Sequence, residues 1–170
     1  YVEGTILPPD ILQAVAAEDR ELGGLKPTDY GLTPSERLNE AISRSWTRLT
    51  GLWASFREAL EKTAESEPAI GLTRERWLLP LFQELGFGKL QLHRFEIDGK
   101  PYPVSHLWGH VPIHLLGANV DLDRRTRGVA GAAALSPHSL VQELVNRSED
   151  HLWAMLSNGR ALRLLRDNAS

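Results

Sequence analysis

The clearest hydrophobic pattern in the chain runs from Ser35 to about Ala64, where apolar side chains recur every three or four residues. This spacing predicts one long amphipathic α-helix, with Thr33 or Ser35 as its cap. The stripe consists of Leu38, Ile42, Trp46, Leu49, Trp53, Phe56 and Leu60. Because each aromatic ring offers on the order of 150–250 Å² for burial, the stripe must pack on another surface. We favour packing within the chain over packing on a partner protein.

Proline and glycine separate this helix from the segments on either side of it. Residues 1–34 hold a single short helical pattern, from Asp10 to about Leu22, among several Pro and Gly residues, which is typical of an arm. The polar, proline-containing connector from Glu65 to Gly71 is the predicted domain boundary. We therefore divide the chain into an N-terminal arm with the long helix, residues 1–67, and an α/β domain, residues 68–170.

The first half of the α/β domain combines one helical pattern with three strand patterns. A helix begins at Thr73 and ends before Gly86, and Pro80 is expected to kink it or shorten its first turn. Asp98-Gly99 is a strong hairpin-turn signal. Runs of apolar and β-branched residues predict strands over Leu90–Ile97, Tyr102–Leu107 and Val111–Leu116.

A loop, a capped helix and two further strands complete the domain. The loop, rich in Arg, Gly and Ala, runs exposed from Arg124 to Ala134, and Ser136 then caps an amphipathic helix. Leu152–Ser157 and the arginine-rich Arg160–Asn168 are strands joined by a Ser-Asn-Gly turn. A helix between strands indicates a mixed sheet with a crossover, so the predicted fold class is α/β (α+β). The element order matches the core of the PD-(D/E)xK nuclease fold.

Composition narrows the class of protein. The 170 residues, 42% of them hydrophobic and 24% charged, suit one ordinary soluble domain with an extension. No apolar run approaches the roughly 20 residues needed to cross a bilayer, and we expect a cytoplasmic protein without membrane contact. Cysteine is absent, which removes disulfides and thiolate ligands. The net charge of −3 means that nucleic-acid binding would need a local basic patch.

Acidic residues do not follow the pattern of an active nuclease of this fold. Such an enzyme needs a carboxylate on the second strand and Glu-x-Lys or Asp-x-Lys on the third, to hold a metal ion and orient water. The strands at Tyr102–His106 and Val111–Leu116 contain neither. The remaining candidate catalytic acids are Asp121, Asp123 and Glu96. Solvated turn residues and ion pairs with nearby arginines are the simpler interpretation of these acids.

Three histidines at a spacing of four, His106, His110 and His114, would share one face of a helix or of a strand and so suggest a zinc site. Gly109 and Pro112 argue against a helix there, and the Trp108-Gly109 step argues against a continuous strand. We interpret the histidines as ordinary half-buried side chains and predict no metal site.

Arginines form two groups that could converge on phosphate groups. Arg147 ends the helix before the last two strands. If the groups share one face, they form a phosphate-binding strip, whereas arginines that alternate with acids more often form surface salt networks. The predicted DNA-binding residues are Arg124, Arg125 and Arg127 in the loop and Arg160, Arg163 and Arg166 on or beside the last strand.

Several separated segments, which together cover most of the chain, share their wording and order with a known family. They are Glu36–Trp46, Thr73–Phe82, Tyr102–His106, Asp121–Arg125 and the stretch from Ser136 to Asn168. Taken in order, they resemble the N-terminal region of adenine-specific DNA methyltransferases of the type IIG restriction-modification kind, including methylases of phage-defence systems.

The resemblance implies an N-terminal domain that precedes a methyltransferase core in the same polypeptide. Its implied partners are duplex DNA, that core and subunits of a defence system, and the implied cofactor of the full-length protein is S-adenosylmethionine. This chain itself lacks the signatures of methyl transfer, since Leu7-Pro8-Pro9-Asp10 and Gly86-Phe87-Gly88 are incomplete versions of the base-binding tetrad and the cofactor turn. We therefore expect no cofactor in this chain.

Two interpretations from different classes follow. The first is a non-cutting, DNA-associated accessory domain that braces the methyltransferase. The second is a working nuclease that uses Mg²⁺ and whose acids come together from distant positions. A scaffold built on the long tryptophan-rich helix is a third interpretation.

Overall fold

A computed structural model describes residues 8–17, 19 and 21–168 of the chain. Residues 1–7, which belong to the predicted arm, lie outside this range, as do positions 18 and 20 of its predicted helix. The chain divides into two compact units, Tyr1–Arg48 and Leu49–Ser170. The division into domains predicted from the sequence, residues 1–67 and 68–170, stays a prediction.

The first unit contains short helical segments and, in its described part, no buried residue. Helix α1 is Pro9–Ala16, with proline at its first position, and a 3₁₀ helix follows at Pro27–Tyr30. Gly31 ends the 3₁₀ helix in the left-handed conformation, at a φ of 69°. The described part of the predicted Asp10–Leu22 helix is thus shorter than expected.

The long helix α2, Leu38–Glu61, confirms the helix that the hydrophobic stripe predicts. Its start differs, because Thr33 and Glu36 form a turn before the helix: the Glu36 carboxylate accepts hydrogen bonds from the Thr33 backbone N–H (2.7 Å) and hydroxyl (2.9 Å). Thr33 and Ser35 are therefore too far ahead of the helix to cap it. The predicted packing of the stripe holds only in part, because Phe56 is fully buried whereas Ile42 and Trp46 are 55% and 68% exposed.

A helical segment crosses one face of the sheet in three pieces. These are α3, Ile70–Thr73, a π-helical turn at Arg74–Leu78, and α4, Leu79–Glu84. Pro80 is the second residue of α4, directly after the π-helical turn. The irregularity predicted at Pro80 therefore takes the form of a wider turn before the proline, where the missing N–H and the ring are accommodated.

Five strands form a mixed sheet in the order β1-β4-β5-β6-β7, and β2 and β3 form a separate hairpin. Strands β5 and β6 are parallel, while the other neighbours in the sheet are antiparallel. Helix α5, Pro137–Arg147, connects the parallel pair and confirms the predicted crossover. The strands are β1 Gln91–Leu92, β2 Phe95–Ile97, β3 Lys100–Tyr102, β4 His106–Trp108, β5 Val111–Leu115, β6 Trp153–Ser157 and β7 Leu162–Arg166.

The strands predicted over Leu90–Ile97 and Tyr102–Leu107 were wrong as continuous elements. Each divides into two pieces, one in the large sheet and one in the hairpin. The turn itself was correct, because Asp98 and Gly99 both have positive φ values, 51° and 74°, and close a two-residue hairpin. Pro103 has no N–H to donate, which limits how far the hairpin ladder can continue.

Two hydrophobic clusters cover the two faces of the five-stranded sheet. One unites α5 with Ala154 and Leu156, and the other unites α4 with Met155. Because side chains alternate along a strand, these three residues of β6 show that the clusters lie on opposite faces. The second unit is therefore a sheet between two helical layers. Along the described chain, no helix combines the length and apolar character that a membrane span requires.

The loop after β5 is only partly exposed. Its arginines are exposed as predicted, but Val129 and Ala132 are 4% and 1% exposed and belong to the core beneath α5. Gly131 lies directly against the ring of His114: a β-carbon at Gly131 would come within 2.4 Å of that ring. We call residues 124–134 the arginine loop.

Candidate functional site

The carboxyl ends of the parallel strands β5 and β6 meet at one edge of the sheet, where open α/β sheets commonly bind ligands. Two loops surround this edge: residues 116–123, which lead into the arginine loop, and residues 158–161 between β6 and β7. They line a shallow, open depression of about 360 Å³, which we call the edge cavity. Its polar lining consists of Asn119, Asp121, Asp123, Asn158, Arg160 and Arg163.

Arg163 and Asp123 form a two-pronged ion pair in this cavity. Each of the two terminal guanidinium nitrogens donates to a different carboxylate oxygen, at 2.6 Å. A ring nitrogen of His138 lies 3.1 Å from the same guanidinium. The hydrogen bonds from Arg163 hold the pKa of Asp123 below its usual value. Asp123 is therefore a carboxylate already bound by a cation.

Asp121 is likewise engaged at the rim of the cavity. Its carboxylate accepts a hydrogen bond from the Asp123 backbone N–H at 2.8 Å and lies 3.7 Å from the Arg124 guanidinium. The ion pair with Arg124 agrees with the interpretation from sequence, while the pair between Asp123 and Arg163 joins residues 40 positions apart and was not predicted.

Glu96, the third candidate acid, is an exposed residue of β2 in the separate hairpin. The hairpin is attached to α5: Lys100 donates to Glu143, and Arg147 donates to Asp98 at 3.2 Å. Lys100 and Tyr102 together lower the pKa of Glu143. Among the described residues, no three His, Asp or Glu side chains are grouped closely enough to hold a metal ion.

The predicted DNA-binding arginines divide between two places. Arg160 and Arg163 line the edge cavity, and the arginine loop brings Arg124 to its rim through Asp121. Arg163 and Leu165 lie on one face of β7, and Arg166 lies on the other. The guanidinium of Arg166 is 5.6 Å from the ring of Trp153.

Arg125 and Arg127 follow Arg124 in the arginine loop and are exposed. Neither has an ion-pair partner among the residues that the structure describes. Arg147, by contrast, is held at α5 by Asp98 and Tyr102. Five of the six predicted arginines thus belong to the edge of the sheet or to the loop that leaves it.

A second, larger cavity of about 650 Å³ adjoins the same edge within the second unit, and we call it the α2 groove. Asn119 and Arg160 line both cavities. The Asn119 amide donates to the backbone oxygen of Glu67 at 2.9 Å, which fixes the connector after α2 against this edge. The remaining lining residues are Trp53, Arg57, Leu60, Glu61, Thr63 and Glu65.

Buried polar residues lie behind this edge of the sheet, and the sequence interpretation underestimated the burial of two histidines among them. His106 and His114 are 4% and 0% exposed rather than half-buried, while His110 is exposed. The Nε2 atom of His114 lies 3.1 Å from the backbone oxygen of Gly131. Burial lowers the pKa of both buried histidines to about 4, and the positive charge of Arg74 adds to the effect.

Arg74 was missed by the sequence interpretation. Its Nε and Nη2 atoms donate to the backbone oxygen of Leu115, at 2.8 and 2.5 Å, just where β5 ends. The Thr73 hydroxyl accepts from the Ala118 backbone N–H at 3.0 Å. The only available signal was the position of these two polar residues at the start of an apolar helix, which alone does not identify their partners.

Comparisons with protein-family models, with curated proteins and with solved structures found no match to this chain.

Proposed function

We propose that this chain is a DNA-associated, non-cutting domain from the N-terminal region of an adenine-specific DNA methyltransferase of restriction-modification or phage defence. The observation that carries the DNA contact is the charge at the sheet edge. Residues 121–127 and 158–163 together contain five arginines and two aspartates, a local net charge of +3 in a chain of net charge −3. Such a patch attracts phosphate groups independently of base sequence.

The arrangement of acids supports a non-cutting role. A metal-dependent nuclease needs free carboxylates that converge on the metal. Asp123 is bound by Arg163, Asp121 is bound by its own loop and Arg124, and Glu96 lies in a different sheet. In this proposal the fold is a PD-(D/E)xK-like core whose metal site has been replaced by ion pairs. S-adenosylmethionine would belong to the methyltransferase core, outside this chain.

Duplex binding across a salt series tests the DNA contact. We expect salt-sensitive binding, with a slope of about −0.9 in log K against log salt for each phosphate contacted. The double variant Arg125→Gln/Arg127→Gln should weaken binding and reduce the slope by roughly 2, because it removes two phosphate contacts. Arg94→Gln is the matched control, an exposed arginine in the segment between β1 and β2. Equal binding by all three proteins would contradict the proposal.

A cleavage assay with Mg²⁺ or Mn²⁺ tests the non-cutting role. The proposal expects intact plasmid DNA at protein concentrations that saturate binding. Cleavage that disappears in Asp121→Ala or Asp123→Ala would instead establish an active nuclease domain.

A further inference from the structure

We propose that the α2 groove is a binding site for a nucleoside phosphate, with the base against Trp53 and the phosphate between Arg57 and Arg160. This site shares Arg160 with the basic patch proposed above for duplex DNA, but it does not include the arginine loop. Its ligand is a 5′-nucleotide, either free or at the end of a DNA strand.

An aromatic wall forms one side of the groove. Trp53 is half-buried, and its ring packs against Trp77 and Phe56 at centroid distances of 4.9 and 5.5 Å. These contacts hold the Trp53 ring in place while part of it lines the groove. A fixed aromatic ring beside a solvent-filled space suits the flat face of a nucleobase, and base stacking on aromatic side chains tolerates any base.

Two arginines in the groove have little other engagement. In the described part of the chain, the guanidinium of Arg160 has no carboxylate partner. Arg57 has one long ion pair with Glu61, at 3.7 Å, in which the two side chains are 61% and 70% exposed. Exposed pairs of this kind contribute little, so both guanidinium groups can turn to a phosphate at low cost.

The walls of the groove are fixed before any ligand binds. The indole N–H of Trp77 donates to the backbone oxygen of Gly159 at 3.0 Å, which sets the position of the turn that carries Arg160. On the other side, the backbone at Gly117 packs tightly against the connector after α2, because a β-carbon at Gly117 would lie 1.7 Å from the backbone oxygen of Pro68. A preformed site avoids the cost of ordering loops on binding.

Size and acceptors distinguish a nucleotide from a simple anion. The groove's 650 Å³ lies within the range of about 300–1,000 Å³ that small-molecule sites occupy. Glu61 and Glu65 also line it, and ionised carboxylates only accept hydrogen bonds. A ligand that carries hydrogen-bond donors as well as an anionic group complements this mixed lining. Sugar hydroxyls and the amino groups of bases supply them, whereas inorganic phosphate alone offers no aromatic or sugar group.

The test is isothermal titration of the whole chain with 5′-AMP, with inorganic phosphate and with the 5′-phosphorylated tetranucleotide of deoxyadenosine. The variants are Arg160→Gln and Arg57→Gln, both at exposed positions that preserve folding, with Arg94→Gln as the control. We expect AMP or the tetranucleotide to bind the parent and the control alike. Each groove variant should weaken that binding about tenfold or more, as expected for loss of a hydrogen bond to a charged group.

The outcomes distinguish a free nucleotide from a strand terminus as the ligand, and they decide whether the groove binds either. Binding of AMP identifies a free nucleotide as a ligand, and binding of the tetranucleotide alone identifies a strand terminus; both support the site if Arg160→Gln weakens them. No binding of either at millimolar concentration overturns the proposal, as does equal binding by the groove variants and the parent. Inorganic phosphate that matches AMP in affinity would also overturn it. The Arg125→Gln/Arg127→Gln protein should keep its nucleotide binding, which separates this proposal from the duplex contact.

Discussion

At the scale of single residues, His114 stands out because its ring is completely buried and only one of its two ring nitrogens has a hydrogen-bond partner among the described residues. Its Nε2 atom hydrogen-bonds the arginine loop at Gly131, while Nδ1 has no partner in the described part of the structure. The groups that face it electrostatically are Arg74 and His106, both of which oppose a positive charge. The ring is therefore neutral at physiological pH and attaches the loop to the sheet.

Replacement of His114 by glutamine should change how stability depends on pH. The folded pKa of about 4 lies below the ordinary 6.5, so the unfolded chain binds more protons between these values. The free energy of unfolding therefore falls as pH drops from 6.5 to 4, by on the order of 3 kcal/mol for this group. His106 contributes in the same window and remains in the variant.

Urea denaturation at pH 7, 5.5 and 4.5 provides the measurement. The His114→Gln protein should lose less stability over this interval than the parent, whatever its stability at pH 7. A pH dependence identical to that of the parent would show that the pKa of His114 is the same in the folded and unfolded states.

At the scale of elements, α5 and the strands before it show what local sequence can predict. Helix α5 carries its signals within itself: a serine cap, a proline at the first position and apolar residues at helical spacing. The strands between residues 90 and 108 depend on partners elsewhere, and Pro103 interrupts the continuous strand that alternation suggested. Turn residues were predicted correctly because Asp98-Gly99 needs no distant partner.

Loss of the α5 cap should have a measurable cost. The Ser136 hydroxyl accepts a hydrogen bond from the Ser139 backbone N–H at 3.2 Å, so Ser136→Ala should lower the free energy of unfolding by about 1 kcal/mol. Chemical denaturation at neutral pH measures the change. Ser66→Ala, at an exposed serine of the connector, is the control and should be neutral within about 0.5 kcal/mol. If both variants match the parent, the cap contributes nothing to stability.

At the scale of the whole molecule, burial is confined to one of the two units. Both hydrophobic clusters belong to residues 49–170, and no described residue before position 49 is buried. The sequence could identify which arginines and acids exist, but not which of them meet. Arg163 and Asp123 are 40 residues apart, and their pairing follows from the positions of β7 and of the loop after β5. The polar residues at the sheet edge were therefore only partly predictable.

Hydrogen exchange should follow this division. Backbone amides of β5, β6 and α5 lie beside fully buried side chains and should exchange slowest, by global unfolding. The described residues between positions 8 and 32 include no buried side chain, so their backbone amides should exchange orders of magnitude faster. Exchange of intact protein followed by peptide mass spectrometry measures both sets. Similar protection in the two units would indicate that the first unit is buried against another surface in solution.

Strand β7 pairs only with β6 within the described chain, so its other edge has no strand partner there. Leu162 and Leu164, 53% and 37% exposed, lie beside that edge. An open edge with apolar neighbours is a template for adding a further strand. The protein should accordingly self-associate in concentrated solution. The substitution Leu164→Lys places a charge at this edge and should reduce that self-association.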